Sequence, residues 1–307
     1  MGGYTSTVTK KYYFMNKIRK LAKKLPYPIK IIIKAFLFPK YYLRYFLNDF
    51  LAFFGHEFGK SNIIFVAGYP KSGTTWVENF IGNIPGYNPR ILYGDLESIR
   101  QHNLPCNAFK YFPKHGYSSV KTHINPADAN IEILRDKGID KVVVMYRDPR
   151  DIVVSNYYHV LASNPWKTTD PFYLDYEKVS KEEGMMHSLD MVAEDFTKWI
   201  LGWKKVCLET GNFKCYFLKY EDLLQDSELH FKKILDLHGI NLSAQNFQKV
   251  ISKITPKNKG FFPDKGNVGN KSTLRKGAPG AWKNDMGDKV KLASEEKLNF
   301  ILKHIES

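Results

Sequence analysis

The run Asn62-Ile63-Ile64-Phe65-Val66-Ala67-Gly68-Tyr69-Pro70-Lys71-Ser72-Gly73-Thr74-Thr75-Trp76 constrains the fold of this chain more than any other stretch. Its first half is continuously apolar and rich in β-branched residues, short enough for a strand buried on both faces. Its second half is a turn of small residues with one lysine and three aliphatic hydroxyls. Val77-Glu78-Asn79-Phe80-Ile81 then reads as the opening of a helix. Strand, glycine-containing turn and helix together aim backbone N–H groups and the positive end of a helix dipole at one point. The pattern predicts a cradle for a phosphate-like anion within an α/β fold.

The cradle departs from that of an ATPase. Gly68 and Gly73 have the spacing of G-x-x-x-x-G-K-[ST], but Thr74 stands where that loop has its lysine. The loop's own lysine, Lys71, lies inside the turn. It is suited to the terminal group of a shorter nucleotide rather than to β- and γ-phosphates. A plain Gly/Pro turn would not need a lysine and three hydroxyls together.

Tyr69-Pro70-Lys71-Ser72-Gly73-Thr74-Thr75-Trp76 resembles the 5′-phosphosulfate loop of the cytosolic-type sulfotransferases, which use 3′-phosphoadenylyl sulfate as donor. Four further segments resemble that family in the same order, so the likeness runs from Tyr69 to Trp282. Lys121-Thr122-His123, at the end of a short predicted strand, resembles the family's K-T-H segment. The resemblance makes His123 the general base; by itself a lone histidine at a strand end is more often a packed or surface residue. Arg147, at the end of the predicted strand Lys141–Tyr146, and Ser155, eight residues on, resemble the 3′-phosphate grip. A guanidinium fork and a hydroxyl suit a phosphate. Asp151, between them, is expected to face away, as a helix N-terminal carboxylate. Tyr220, after the strand Lys214–Lys219, takes the adenine contact by resemblance, together with Trp76. Arg275-Lys276-Gly277 resembles the loop that closes over the donor.

The resemblance therefore implies a single α/β domain with a central parallel sheet and helices on both faces. It implies sulfuryl transfer with His123, Lys71 and Lys121 as catalytic groups. Ser72, Gly73, Thr74 and Thr75 would hold the 5′-phosphate. Arg147, Ser155, Arg275, Lys276 and Gly277 would hold the 3′-phosphate. No metal is expected, because a sulfuryl group carries less charge than a γ-phosphate and no acidic metal-binding pair accompanies the loop. Two departures stand out. Ser252-Lys253-Ile254-Thr255-Pro256 lacks the aromatic residue of the family's adenine-side segment. Asn284-Asp285-Met286-Gly287-Asp288 replaces the family's short dimerisation motif, so no dimer is inferred.

Charge divides the chain. The net charge is +15, yet eleven basic residues, from Lys10 to Arg44, precede the first acidic residue, Asp49. The remainder carries 35 basic against 31 acidic residues, a balance of only +4. We read residues 1–58 as a basic, aromatic-rich arm and 59–307 as the catalytic domain, with no nucleic-acid groove required by charge. The arm has no apolar run long enough to span a bilayer, and lysines interrupt every candidate signal core. Two readings of it stay open. Either it lies on an anionic membrane surface, or its apolar side packs on the body with lysines outside. Met1-Gly2-Gly3-Tyr4-Thr5-Ser6 also fits a loose myristoylation pattern.

Cys106, Cys207 and Cys215 are few and irregularly spaced, which predicts neither a disulfide framework nor a zinc site and favours a reducing compartment. Residues 87–116 and Leu161–Met191 read as acceptor-side loops, and Phe196–Leu208 as a helix whose Trp199 and Trp203 face the core. The leading expectation is a cytoplasmic enzyme, with peripheral membrane contact as an option, acting on a small-molecule or lipid acceptor. A glycan sulfotransferase and a P-loop kinase or nucleotide-binding protein are the alternatives. The first would usually bring a membrane anchor and a carboxylate base. The second would need the lysine that Thr74 replaces.

Overall fold

The computed structural model describes residues 39–93, 102–163, 174–209, 211, 213–254 and 279–306. The helices are α1 (Pro39–Phe53), α2 (Thr74–Asn83), α3 (Asp128–Asp136), α4 (Pro149–Ser163) and α5 (Lys181–Glu209). They continue with α6 (Tyr220–Gln225), α7 (Ser227–His238), α8 (Ala244–Ile254), α9 (Trp282–Asp285) and α10 (Asp288–Glu306). The strands are β1 (Ile63–Gly68), β2 (Asn88–Pro89), β3 (Ser118–Thr122), β4 (Lys141–Tyr146) and β5 (Lys214–Lys219).

The strands form one parallel sheet in the order β2-β3-β1-β4-β5. Alternation in β1 and β4 explains why it is buried on both faces. Phe65, Ala67, Val142 and Val144 point to one core, with Ile152 and Val153 of α4, Phe196 and Trp203 of α5, and Leu298 of α10. Ile64, Val66, Val143 and Met145 point to the other, with Val77 and Phe80 of α2, Phe231 of α7 and Phe247 of α8. A parallel sheet needs such double cover, which is why its strands read as unbroken apolar runs.

Register then positions the chemistry. Ala67 lies beside Thr122, Gly68 beside Met145, and Tyr146 beside Lys219. Strands β3, β1, β4 and β5 thus end at one edge of the sheet. Strand order reverses at β1, with β3 and β2 on one side and β4 and β5 on the other, which makes the gap between β1 and β4 the switch point at which open α/β sheets bind ligands.

Three expectations are corrected. The polar stretch up to Met191 is not all loop, because α5 begins at Lys181. Its early turns carry Met185 and Leu189, both buried, and these were masked in the sequence by the surrounding acidic residues. Cys207 and Cys215 form a disulfide, with Cα atoms 5.7 Å apart. The turn from α5 into β5 folds the two positions together, which their spacing alone did not reveal. Finally, the amphipathic rule fails for α1. Arg44 Nη2 donates to the carbonyls of Gly82 and Ile84 at 3.2 and 3.1 Å, and Asn48 Nδ2 donates to Asn88 Oδ1 at 2.9 Å. Arg90 pairs with Asp49 at 2.6 Å. The helix docks through its polar stripe and turns its large apolar residues outward.

Candidate active site

The loop after β1 is held in shape before any ligand is considered. The Tyr69 amide donates to Met145 O at 2.9 Å, and the Ser72 amide to Tyr69 O at 3.2 Å. Tyr69 also donates its hydroxyl to Asp195 Oδ2 on α5 at 2.8 Å, and its ring meets Phe196 and Trp199 edge-on. Two residues take left-handed backbone conformations, Lys71 at φ 69° and Gly73 at φ 81°. Such strain in a lysine persists where the surroundings over-determine it, and it collects at ligand sites. Gly68 is required by space, since an added Cβ would lie 2.0 Å from Thr74 Cγ2.

Gly73 is the N-cap of α2 and offers no side chain to the helix end. The first amides of a helix have no intrahelical acceptor. Beside them the Ser72 hydroxyl is fully buried and has no hydrogen-bond partner among the described residues. A buried hydroxyl without a partner carries a desolvation penalty of about 1–3 kcal/mol. An anion seated on the helix end would relieve it. Thr74 is buried and Thr75 half-buried at the same end.

At the end of β3, His123 Nδ1 lies 2.6 Å from Gly68 O. A carbonyl can only accept, so Nδ1 carries the proton and the neutral ring leaves Nε2 as the basic nitrogen. Burial pushes the His123 pKa below its usual 6.5; the Gly68 bond pulls it back, and Lys121, His102 and Lys71 lower it further. The ring is therefore neutral at pH 7, the state a base needs. Burial also pushes the Lys71 ammonium down to about 8. Lys71 has no carboxylate partner among the described residues. Lys121 differs, because Glu78 of α2 holds its ammonium at 2.8 Å.

At the end of β4, Arg147 is buried. Its Nη2 is 3.2 Å from Asp151 Oδ2, its Nε is 3.8 Å from Glu221 Oε1, and its guanidinium lies 4.6 Å from the Tyr220 ring centre. The Tyr220 ring also closes over Gly73, where an added Cβ would approach it to 2.5 Å. Arg147, Tyr220 and the loop are thus one packed unit. Ser155 stands one turn beyond Asp151 on α4, half-buried. Trp76 sits largely in the core, edge-on to Phe231 at 5.9 Å.

The expectation that Asp151 faces away is overturned. Its Oδ2 accepts from Arg147 and from the Gly280 amide at 2.8 Å, and its Oδ1 accepts from the Trp282 amide at 3.1 Å. It orients the guanidinium and pins the chain that follows Arg275-Lys276-Gly277. Those three residues, and Thr255 and Pro256, lie outside the described residues.

Sequence reasoning also missed His102 and His159. Both have lowered pKa values, mainly from burial, His159 to about 4. His102 acts electrostatically on His123, and Lys71 on His159. Neither carried a motif signal, because the fold brings them to the edge from distant segments. Among the described residues, no group of three or more His, Cys, Asp or Glu side chains could hold a metal ion.

Comparisons with known proteins agree with this geometry. The sulfotransferase domain family matches residues 61–298. Flavonol 3-sulfotransferase of Flaveria bidentis is 28% identical over 275 residues, covering 77% of this chain and 82% of that protein. Amine sulfotransferase of Oryctolagus cuniculus is 23% identical over 277 residues, covering 79% and 83%. Mouse sulfotransferase SULT7A1, solved in complex with PAP, superimposes with a TM-score of 0.56 at 21% identity, covering 78% of this chain and 84% of that one. Retinol dehydratase, solved with androsterone and PAP, gives 0.54 at 21% identity, covering 79% and 81%. With most of its length matched by the domain and its loop, histidine and arginine at the ends of adjacent strands, the chain belongs to the sulfotransferase family.

Proposed function

We propose that the protein transfers a sulfuryl group from 3′-phosphoadenylyl sulfate to a hydroxyl or amine of a small-molecule or lipid acceptor, with His123 as general base. The observation that carries this reading is the bond from His123 Nδ1 to Gly68 O. It ties the base to the last residue of the strand that leads into the anion cradle, and it leaves Nε2 free to take a proton.

Nε2 removes the acceptor proton as the acceptor oxygen or nitrogen bonds to sulfur and the bond to the 5′-phosphate breaks. Lys71 meets the negative charge that grows on the bridging oxygen. Lys121, through its pairing with Glu78, positions the strand end more than it meets the transferring group. Ser72, Gly73, Thr74 and Thr75 hold the 5′-phosphate. Arg147 and Ser155 hold the 3′-phosphate, joined by Arg275, Lys276 and Gly277, and Tyr220 and Trp76 flank the adenine. No metal takes part, so a chelator leaves turnover unchanged. The proposal places the enzyme in the cytoplasm. It treats residues 1–58 as an arm on the catalytic domain, with the arm's basic residues in contact with an anionic membrane surface. Relatives named for flavonol and amine substrates support a small acceptor.

Calorimetric titration with 3′-phosphoadenosine 5′-phosphate and with ATP, without metal, tests the donor site. Tight binding of the bisphosphate alone, weakened at least tenfold in Arg147→Lys, is the expected result. Preference for ATP would overturn the reading. Loss of turnover in His123→Ala with donor-product affinity retained would then assign the base.

A further inference from the structure

The docking of α1 is inverted. Leu43, Phe46, Leu47, Phe50 and Phe54 recur at helical spacing on one stripe, with Leu51 and Phe53 beside it, and all seven are exposed. Phe46, Phe53 and Phe54 are 64–69% exposed. The rings form a ladder, with centroids 6.0 Å apart from Phe46 to Phe50 and 4.7 Å from Phe50 to Phe54. The opposite stripe is fixed to the body by Arg44, Asn48 and Asp49. A helix that needed only to cover the sheet edge would bury its apolar stripe and leave its polar one in water. Here the polar seam holds the helix still and displays the apolar stripe. A continuous apolar patch of this kind marks a contact with something outside the chain.

Charge selects the occupant. The residues before Asp49 carry eleven basic side chains and no acidic one, while the rest of the chain is close to neutral. A second copy of this chain would bring the same cationic segment against its own, which disfavours self-association. An anionic lipid surface complements it, and interfacial helices combine basic flanks with Phe and Leu at the depth where headgroups meet acyl chains. We propose that α1 is the apolar half of a peripheral membrane anchor. Leu43, Phe46, Leu47, Phe50, Phe53 and Phe54 enter an anionic bilayer surface. The anchor rests on the arm's proposed membrane contact and is independent of the sulfuryl-transfer reading.

The test compares full-length wild type with Phe50→Ser/Phe54→Ser and with Phe50→Leu/Phe54→Leu. Each is sedimented with phosphatidylcholine–phosphatidylserine vesicles and with phosphatidylcholine vesicles alone. Thermal melting and donor-product binding on the same samples confirm that the variants fold. Wild type should bind the anionic vesicles, the serine pair about tenfold or more weakly, and the leucine pair close to wild type. Raised salt should weaken wild-type binding without abolishing it, because apolar burial is not screened. Equal binding of the serine pair and wild type would overturn the role of α1 and leave the arm's contact standing. Absence of wild-type binding would overturn both. A dimer that the serine pair dissociates, with vesicle binding unchanged, would assign the face to a second copy instead. Loss of donor-product binding in wild type would count against the catalytic reading and leave the vesicle result untouched.

Discussion

Ser72 is where folding and ligand binding pull against each other most plainly. Its hydroxyl is buried without a partner among the described residues, so the free protein gains nothing from it. Ser72→Ala should leave the unfolding midpoint unchanged or raised, while weakening 3′-phosphoadenosine 5′-phosphate by about 10- to 100-fold, the worth of one hydrogen bond to a charged group. Denaturant unfolding and calorimetry on the same sample check both halves. The pH profile belongs to this scale too. As pH falls, His123 gains a proton at a pKa below 6.5 and the proposed base is lost. As pH rises past about 8, Lys71 loses its charge in the free enzyme. A bell-shaped kcat/KM with limbs at those positions is expected, with the alkaline limb of kcat shifted upward because a bound anion favours the charged lysine. At this scale the sequence was most readable, because Lys71, His123 and Arg147 each sit at the end of an apolar run. Asp151 was misread because a carboxylate near a phosphate grip suggests repulsion. Its true partners, Arg147 and the amides of Gly280 and Trp282, come together only in three dimensions.

Among the elements, α7 carries a titration built into its packing. His238 is fully buried, and neither ring nitrogen has a partner among the described residues. Burial, reinforced by Lys141, pushes its pKa down to about 3. An unfolded histidine titrates at about 6.5, so below that pH the unfolded chain takes up a proton that the folded one refuses. Stability should fall as pH drops from about 6.5 toward 3, by up to ~1.4 kcal/mol per pH unit. His238→Leu should remove this contribution, giving an advantage of about 2 kcal/mol at pH 5 relative to its effect at pH 7, as read by urea midpoints. Strands β1 and β4 were legible because both faces are buried, which leaves an unbroken apolar signature. Helix α1 was not, because periodicity shows that a helix has two faces without showing which one meets the body.

For the molecule as a whole, the Cys207–Cys215 disulfide closes the junction of α5 and β5, eight residues apart in sequence. Native protein should show one titratable thiol, the exposed Cys106, and reduction should release two more. Reduction should lower stability by about 2.5 kcal/mol on the loop-entropy estimate for so short a ring. Retention of that bond in freshly lysed cells would argue against a fully reducing site of folding. The aligned strand ends have a further consequence, in time rather than space. His123 and Gly68 are 55 residues apart in the chain, and the loop reaches Arg147 only once β4 has paired with β1. Parallel pairings over such distances form late, because loop closure must precede the contacts that reward it. Helical signal should therefore return early in refolding, and affinity for the donor product only in the slowest structural phase. A partly folded chain should have no partial activity.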